Sequence, residues 1–325
     1  MVACAGHAVA AVTPVPHEAV FSRWFVACDN TRRCEARGVS EAAQIDLRLT
    51  RDAGPAGPTL TLTTDLPMPK AVRIGAESYN FGPAWTRSAA GSTGDNALST
   101  TDPAEIARVI TLARTAPTLN LGGGVSVPLD GMMAALLRVD DVQNRIGTAT
   151  ALVGARGSRG VDDAPGLPGA PVWIRPKPLP DPAAVAKATR TAAAATLKAN
   201  GCTVDPADEA YALDDTHAVV VLDCEHYAYQ SSSLIMIASR QGGPAVPFAP
   251  ELPTVKQRSA VWTEGSYNPD AGVLGMSAKG RGLADCGFSA SWIWSAGAFR
   301  LSSMNAQPLC GGAQPGDWPA LYRTR

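Results

Sequence analysis

Apolar and polar residues alternate strictly over Ile45-Asp46-Leu47-Arg48-Leu49 and again over Thr59-Leu60-Thr61-Leu62-Thr63. A period of two buries one set of side chains and leaves the other in water, which predicts two strands of an antiparallel sheet. The intervening Asp52-Ala53-Gly54-Pro55-Ala56-Gly57-Pro58 is turn chemistry. Upstream, Phe21-Ser22-Arg23-Trp24-Phe25-Val26-Ala27-Cys28 predicts one aromatic-rich strand. The period then becomes helical. Asp102-Pro103-Ala104-Glu105 offers an N-cap, a proline at the first helical position and a capping-box glutamate. Ile106, Val109, Ile110 and Ala113 follow on one face, and Pro117 ends the helix. A second short helix is expected from Asp130, with Met133, Leu136 and Leu137 inward.

Prolines at 165, 168, 171, 176, 178, 180 and 182 deny residues 161–181 both helix and central strand. This stretch reads as an extended linker, with Trp173 docked on one of the domains. An alanine-rich helix over 182–198 is expected next, stopped by Asn200-Gly201. Strand candidates follow at 218–222, 234–237, 260–262, 288–294 and 298–301. Phe288, Ala290, Trp292 and Trp294 share one strand face, and a Ser-Ala-Gly hairpin turn leads to Phe299 and Leu301. Alternating βαβ units are missing, which argues against a doubly wound nucleotide fold. The expected fold class is α+β: two mostly antiparallel β-rich domains with short helices, joined by the Pro-rich linker and stapled by disulfides. The expected boundaries are a tether over 1–19, an N-terminal domain over 20–160, the linker over 161–181 and a helix-plus-meander domain over 182–325.

The 325 residues suit about two domains, and a 46% hydrophobic content excludes wholesale disorder. Lys+Arg 28 against Asp+Glu 29 leaves a net charge of −1. The broad basic field that nucleic acid or anionic lipid requires is therefore lacking, and no nucleic-acid partner is expected. No stretch approaches the roughly 20 apolar residues of a spanning helix.

Seven cysteines are present, and no two are spaced C-x-x-C, so zinc ribbons and thioredoxin-type motifs have no footing. Setting Cys4 aside leaves an even set suited to an oxidising compartment. Pairing nearest neighbours gives Cys28–Cys34, Cys202–Cys224 and Cys286–Cys310, although sequence alone leaves connectivity open. The leftover Cys4 lies in Met1-Val2-Ala3-Cys4-Ala5-Gly6, which looks like the tail of a bacterial lipobox. The charged and apolar segments of a signal peptide do not precede it, so a lipidated Cys4 implies a leader outside this sequence. The segment through Pro14-Val15-Pro16 then reads as a tether below a membrane, and the other reading of Cys4 is a spare thiol.

Candidate chemistry is sparse. His7 and His17 fall in the expected tether, and His217 follows the turn sequence Asp214-Asp215-Thr216. His226, beside Cys224 and Glu225, has no H-x-x-x-H partner for a metal. No G-x-S-x-G elbow or phosphate-binding glycine motif occurs, and neither metal nor cofactor is expected. Ser277-Ala278-Lys279 is the one serine–lysine pair in which a desolvated lysine could act as base. The carboxylate pairs Asp140-Asp141 and Asp214-Asp215 read as caps and surface charges. The densest polar motif is Lys279-Gly280-Arg281-Gly282-Leu283-Ala284-Asp285-Cys286-Gly287. It suits either an anion or a partner's carboxylate, or a tight turn in which Asp285 pairs with Arg281 and the disulfide fixes the loop.

Several of these segments resemble a bacterial family catalogued as domain of unknown function 1176. They are Trp24 with Cys28-Asp29-Asn30 and Cys34, Leu49-Thr50-Arg51-Asp52-Ala53-Gly54-Pro55, Leu129 to Leu137, Asp140-Asp141-Val142-Gln143-Asn144-Arg145, and the 279–287 run leading to Trp292-Ile293-Trp294. The N-terminal half is also similar to the invasion-associated locus B family of envelope proteins, through its Trp–Cys strand and a Val-x-Val-Pro-Leu-x-Gly segment at 125–131. The resemblances imply a secreted or lipid-anchored protein of Gram-negative bacteria and supply no catalytic residues.

The expected function is non-enzymatic binding of an envelope protein or cell-wall component. Lys279, Arg281, Asp285 and Trp292 are the candidate contacts, with exposed tryptophans near the loop. The alternative is an envelope hydrolase or transferase assembled from Ser277, Lys279, Asp285 and His226.

Overall fold

The computed structural model describes residues 15–90, 95–202, 207–255, 258–312 and 317–325. Cys4 and His7 lie outside these residues. The first sheet begins with β1 (His17–Phe21), β2 (Trp24–Cys28), β3 (Cys34–Val39), β4 (Ile45–Arg51) and β5 (Thr59–Thr64). The chain leaves it for β6 (Ala71–Ile74) and β7 (Glu77–Asn80), then returns with β8 (Thr86–Ala90) and β9 (Asp95–Thr100). The resulting order is β1-β2-β3-β4-β5-β9-β8. The single strand expected over 21–28 is thus a hairpin: Ser22 adopts φ 54°, and Phe21 faces Trp24 across the turn. The sheet also extends into the expected tether, because His17 pairs opposite Cys28.

Helix α1 (Pro103–Ala113) is followed by β10 (Thr118–Gly122), β11 (Val125–Pro128) and α2 (Met132–Val142). A second sheet has the order β11-β10-β6-β7. Asp102 caps α1, accepting from the amides of Ala104 and Glu105 at 2.8 and 2.9 Å. The capping box does not close. The Glu105 carboxylate accepts the Tyr79 hydroxyl instead, and the Asp102 amide donates to Thr100 Oγ1. On α2 the buried stripe is Met132, Ala135, Leu136 and Val139, the spacing of one helical face. Leu137 falls off that face and is exposed. Asp140 is a further correction. It is fully buried and accepts from the amides of Leu152, Val153 and Gly154 at 2.9, 2.9 and 3.0 Å.

Residues 161–181 form neither helix nor strand. Trp173 docks as expected, with its indole filling the space where a side chain at Gly272 would stand. The expected helix over 182–198 is broken at Ala193, where the backbone reaches φ −88° and ψ 6° between α3 (Pro182–Ala192) and α4 (Ala194–Ala199). A third sheet contains β12 (Glu209–Ala212), β13 (His217–His226), β14 (Ser231–Ser239), β15 (Ala245–Pro247) and β16 (Val261–Thr263). The fourth is the meander β17 (Ser266–Asn268), β18 (Val273–Lys279), β19 (Gly287–Ser295), β20 (Ala298–Gln307) and β21 (Ala320–Arg323). All paired strands are antiparallel, as in the α+β class expected.

Among the described residues three apolar clusters hold these layers. One face of the first sheet (Trp24, Val26, Leu47, Leu49, Leu60) packs on Ile106 and Val109 of α1 and on Leu136 and Val139 of α2. The third sheet is covered on both faces. Val220, Leu222 and Met236 meet α3 and α4, while Val219, Val221 and Ile235 meet Trp292 and Leu274 of the meander. Double coverage is why β13 reads as a continuous apolar run. The turn between β19 and β20 has φ 49° at Ala296 and 76° at Gly297, the two positive values of a type I′ hairpin.

The polar face of the first sheet is not in water, contrary to the alternation rule. Arg37 is 1% exposed and donates to Glu35 Oε1 at 2.6 Å, Gln307 Oε1 at 2.9 Å and the Asp317 carbonyl at 2.8 Å. Arg48 forks onto buried Asp46 at 2.7 and 3.0 Å and onto Asp317 at 3.0 and 2.7 Å. Asn30 and Arg323 exchange side-chain–backbone hydrogen bonds of 3.0 and 2.9 Å. The C-terminal segment therefore lies across the N-terminal sheet, sealing its charges into an ion-pair network.

Candidate functional site

The 279–286 loop joins β18 to β19 at one end of the meander. A tight turn forms within it: Ala284 adopts φ 56° and donates to the Arg281 carbonyl at 2.9 Å. The Gly280 amide reaches the Cys286 carbonyl at 2.8 Å. Glycine is required at 280, because a Cβ there would meet Cys286 Sγ at 2.6 Å. Arg281 Nε donates to Asp285 Oδ1 at 2.8 Å, and its Nη2 pairs with the second oxygen. That hydrogen-bonded guanidinium, working against partial burial, holds the Asp285 carboxyl below its ordinary range and raises Arg281 in return. Arg281 and Asp285 are thus committed to each other. Of the two readings of this motif, the tight turn is the one formed.

Two clamps fix the loop to its surroundings. The Cys286–Cys310 disulfide ties it to the segment after β20. Gln230, in the turn between β13 and β14, accepts the Lys279 amide at 2.7 Å and donates to its carbonyl at 3.3 Å. That clamp brings the 227–230 turn beside the loop, where the Tyr229 ring lies 3.8 Å from the Cβ position of Gly282. Leu283 is 68% exposed, and Tyr227 and Tyr229, both in the clamped turn, are exposed too. No carboxylate pairs with Lys279 among the described residues.

Trp292 does not belong to this surface. It is 2% exposed, 4.7 Å centroid to centroid from Trp262. Trp294 is buried too, donating its indole N–H to Asp214 Oδ2 at 2.9 Å. The rings expected to be exposed near the loop form the meander's core because they alternate inward along β19. The tyrosines took their place outside, and the one sequence clue to them was an aromatic pair flanking Ala228 in a turn.

The remaining candidates keep separate partners. His226 Nε2 lies 2.9 Å from Asp223 Oδ2, Ser277 sits in the ladder opposite Ser289, and Asp285 holds Arg281. Among the described residues no hydrogen bond joins Ser277, Lys279, Asp285 and His226 to one another. His217 opens β13 directly after the expected turn, where Asp214 accepts from the amides of Thr216 and His217, both at 2.8 Å. Asp285, Cys286 and Cys310 lie within metal-ligand distance of one another, but both sulfurs are in the disulfide, which removes them as ligands. The pairings Cys28–Cys34 and Cys202–Cys224 are formed as well, the first directly across β2 and β3. Among the described residues no helix is long and apolar enough to cross a membrane.

The family described as "Protein of unknown function (DUF1176)" matches residues 18–325. The uncharacterized protein YpfG of Escherichia coli (strain K12) is similar to this chain. It is 29% identical over 350 residues, covering 97% of this chain and 95% of the relative. No solved structure matches.

Proposed function

This chain belongs to the DUF1176 family of proteins of unknown function, and on that premise we propose that it is a non-enzymatic binding protein of the Gram-negative cell envelope. Its address is the periplasm, or a membrane surface if Cys4 carries lipid. Three disulfides support an oxidising compartment. The partner is another envelope protein or a cell-wall component, met at the 279–285 loop.

One observation carries this reading: Leu283, Tyr227 and Tyr229 are exposed on backbone held by the Gln230 clamp and the Cys286–Cys310 bridge. Apolar and aromatic side chains grouped on a surface mark contact sites. A fixed backbone lowers the entropy lost on binding. Lys279, which pairs with no carboxylate among the described residues, adds a charge at the edge, while Arg281 and Asp285 shape the loop. The hydrolase or transferase alternative has no comparable support.

Photocrosslinking from residue 283 of the full-length protein in intact cells tests the proposal. The expected result is a reproducible crosslinked partner, lost on Tyr229→Ala with Lys279→Ala. A folded, envelope-located protein that crosslinks to nothing overturns it.

A further inference from the structure

A groove of about 450 Å³ opens beside α1, far in sequence from the 279–285 loop, between the helix, the 55–58 turn and residues 149–156. Its walls are apolar, including Pro55, Ile106, Ile110 and Leu152. Two guanidinium groups line it, Arg51 and Arg156, and among the described residues no carboxylate does.

Arg51 is the unusual member. It is 3% exposed, yet its Nη1 is buried without a hydrogen-bond partner. Its Nε reaches the Ala56 carbonyl only at 3.5 Å, the limit of a useful bond. The nearest carboxylate oxygen, Asp140 Oδ1, is 3.8 Å from Nη1, and that carboxylate already accepts from three amides. Neighbouring Arg145 is better satisfied, donating to Thr150 Oγ1 at 2.8 Å, Gln143 Oε1 at 3.1 Å and the carbonyl of Gly54. Two buried guanidinium groups, Arg51 and Arg145, thus feel the charge of one buried carboxylate, Asp140, leaving a net positive charge at the groove floor. Burial, with the adjacent Arg145, lowers the Arg51 pKa to about 10. An unpaired buried cation is costly, and an unsatisfied buried donor in a native protein calls for a partner. The N-terminus of α1 cannot supply the attraction, since Asp102 already caps it.

We propose that this groove binds a carboxylate carried on a short apolar body, its anion pairing with Arg51 and Arg156 and its apolar part lying along Ile106, Ile110 and Leu152. The proposal is independent of the loop, so either can fail without the other.

Calorimetric titration of the full chain tests it with two carboxylates, hexanoate and N-acetyl-alanyl-leucine. Hexanol and the corresponding peptide amide are the neutral controls. Saturable binding of a carboxylate, with no binding of its control, is expected, and the tighter of the two distinguishes an acyl chain from a peptide C-terminus as the source. Ala107 is exposed on the groove lining, so Ala107→Glu places a like charge there and weakens binding by about tenfold or more with the melting temperature unchanged. Arg51→Met abolishes binding while the ligand-free melting temperature stays level or rises, because an uncompensated charge is removed. If that variant does not fold, Ala107→Glu and Arg156→Gln carry the test. The proposal is overturned if neither carboxylate saturates, if the neutral controls bind equally well, or if Ala107→Glu leaves the affinity unchanged.

Discussion

The indole of Trp24 occupies the space above Gly38, its direct cross-strand partner in β2 and β3. The same ring donates Nε1–H to the Pro128 carbonyl at 2.9 Å, tying the first sheet to β11. A methyl group at 38 has no room. Gly38→Ala is expected to cost about 1–3 kcal/mol, the range for overpacking a filled core, read as a lower urea midpoint with unchanged slope. An unchanged midpoint would mean that Trp24 turns aside freely.

Arg37 is held by Glu35, Gln307 and Asp317, and removing it strands their acceptors. Arg37→Ala is expected to cost roughly 3–5 kcal/mol, the range for breaking a buried pair. Arg33→Ala, at the exposed pair with Asp52, is expected to cost under about 1 kcal/mol. Urea denaturation of both variants gives the comparison.

Asp317 makes the seam between the two halves sensitive to acid. Partial burial disfavours its charge, but hydrogen bonds from Arg48 and the charges of Arg37 and Arg48 outweigh that and hold its carboxyl below the ordinary 3.8. A group depressed in the folded state contributes stability that is complete above its unfolded value and is lost as pH falls through its folded value. Asp317→Asn is therefore expected to be less stable than the parent at pH 7, with the gap shrinking below about pH 4. Thermal unfolding at a series of pH values reads the difference.

The disulfides divide by loop length. Cys202–Cys224 and Cys286–Cys310 span separations of 22 and 24 residues, against 6 for Cys28–Cys34. In the chain-entropy account each longer bridge contributes roughly 3 kcal/mol and the short one less. Paired Cys→Ala variants, ranked by melting temperature, are expected to follow that order. Native alkylation followed by intact mass should leave all six of these cysteines unmodified.

Lys279 and Arg281 separate binding from folding. Lys279→Ala is expected to reduce crosslinking from residue 283 with no change in melting temperature. Arg281→Ala is expected to lower both, because it frees Asp285 and loosens the turn. Equal effects of the two variants would assign both residues to the same role.

Local chemistry was legible where one segment settles its own structure. The alternating runs became β4 and β5, the Asp102-Pro103 start became α1, and the three cysteine pairings formed between sequence neighbours. What failed depended on distant residues. Asp46 and Arg48 read as a solvated face because nothing near them announces that Asp317 will cover them. Trp292 read as a surface anchor because its burial comes from Trp262, on another sheet. The Arg51 groove needs three segments to converge, and no single stretch of sequence carries its charge imbalance.

The bonds between Asn30 and Arg323 join residues 293 positions apart. Closing so long a loop precedes any reward from the contact, and a chain made from its N-terminus presents Asn30 long before Arg323. Until the C-terminal segment is made, the polar face of the first sheet, with Arg37 and Asp46, lacks its cover. A truncation that removes Asp317 and β21 is therefore expected to be felt at the opposite end of the sequence, as Arg37 and Asp46 lose their cover.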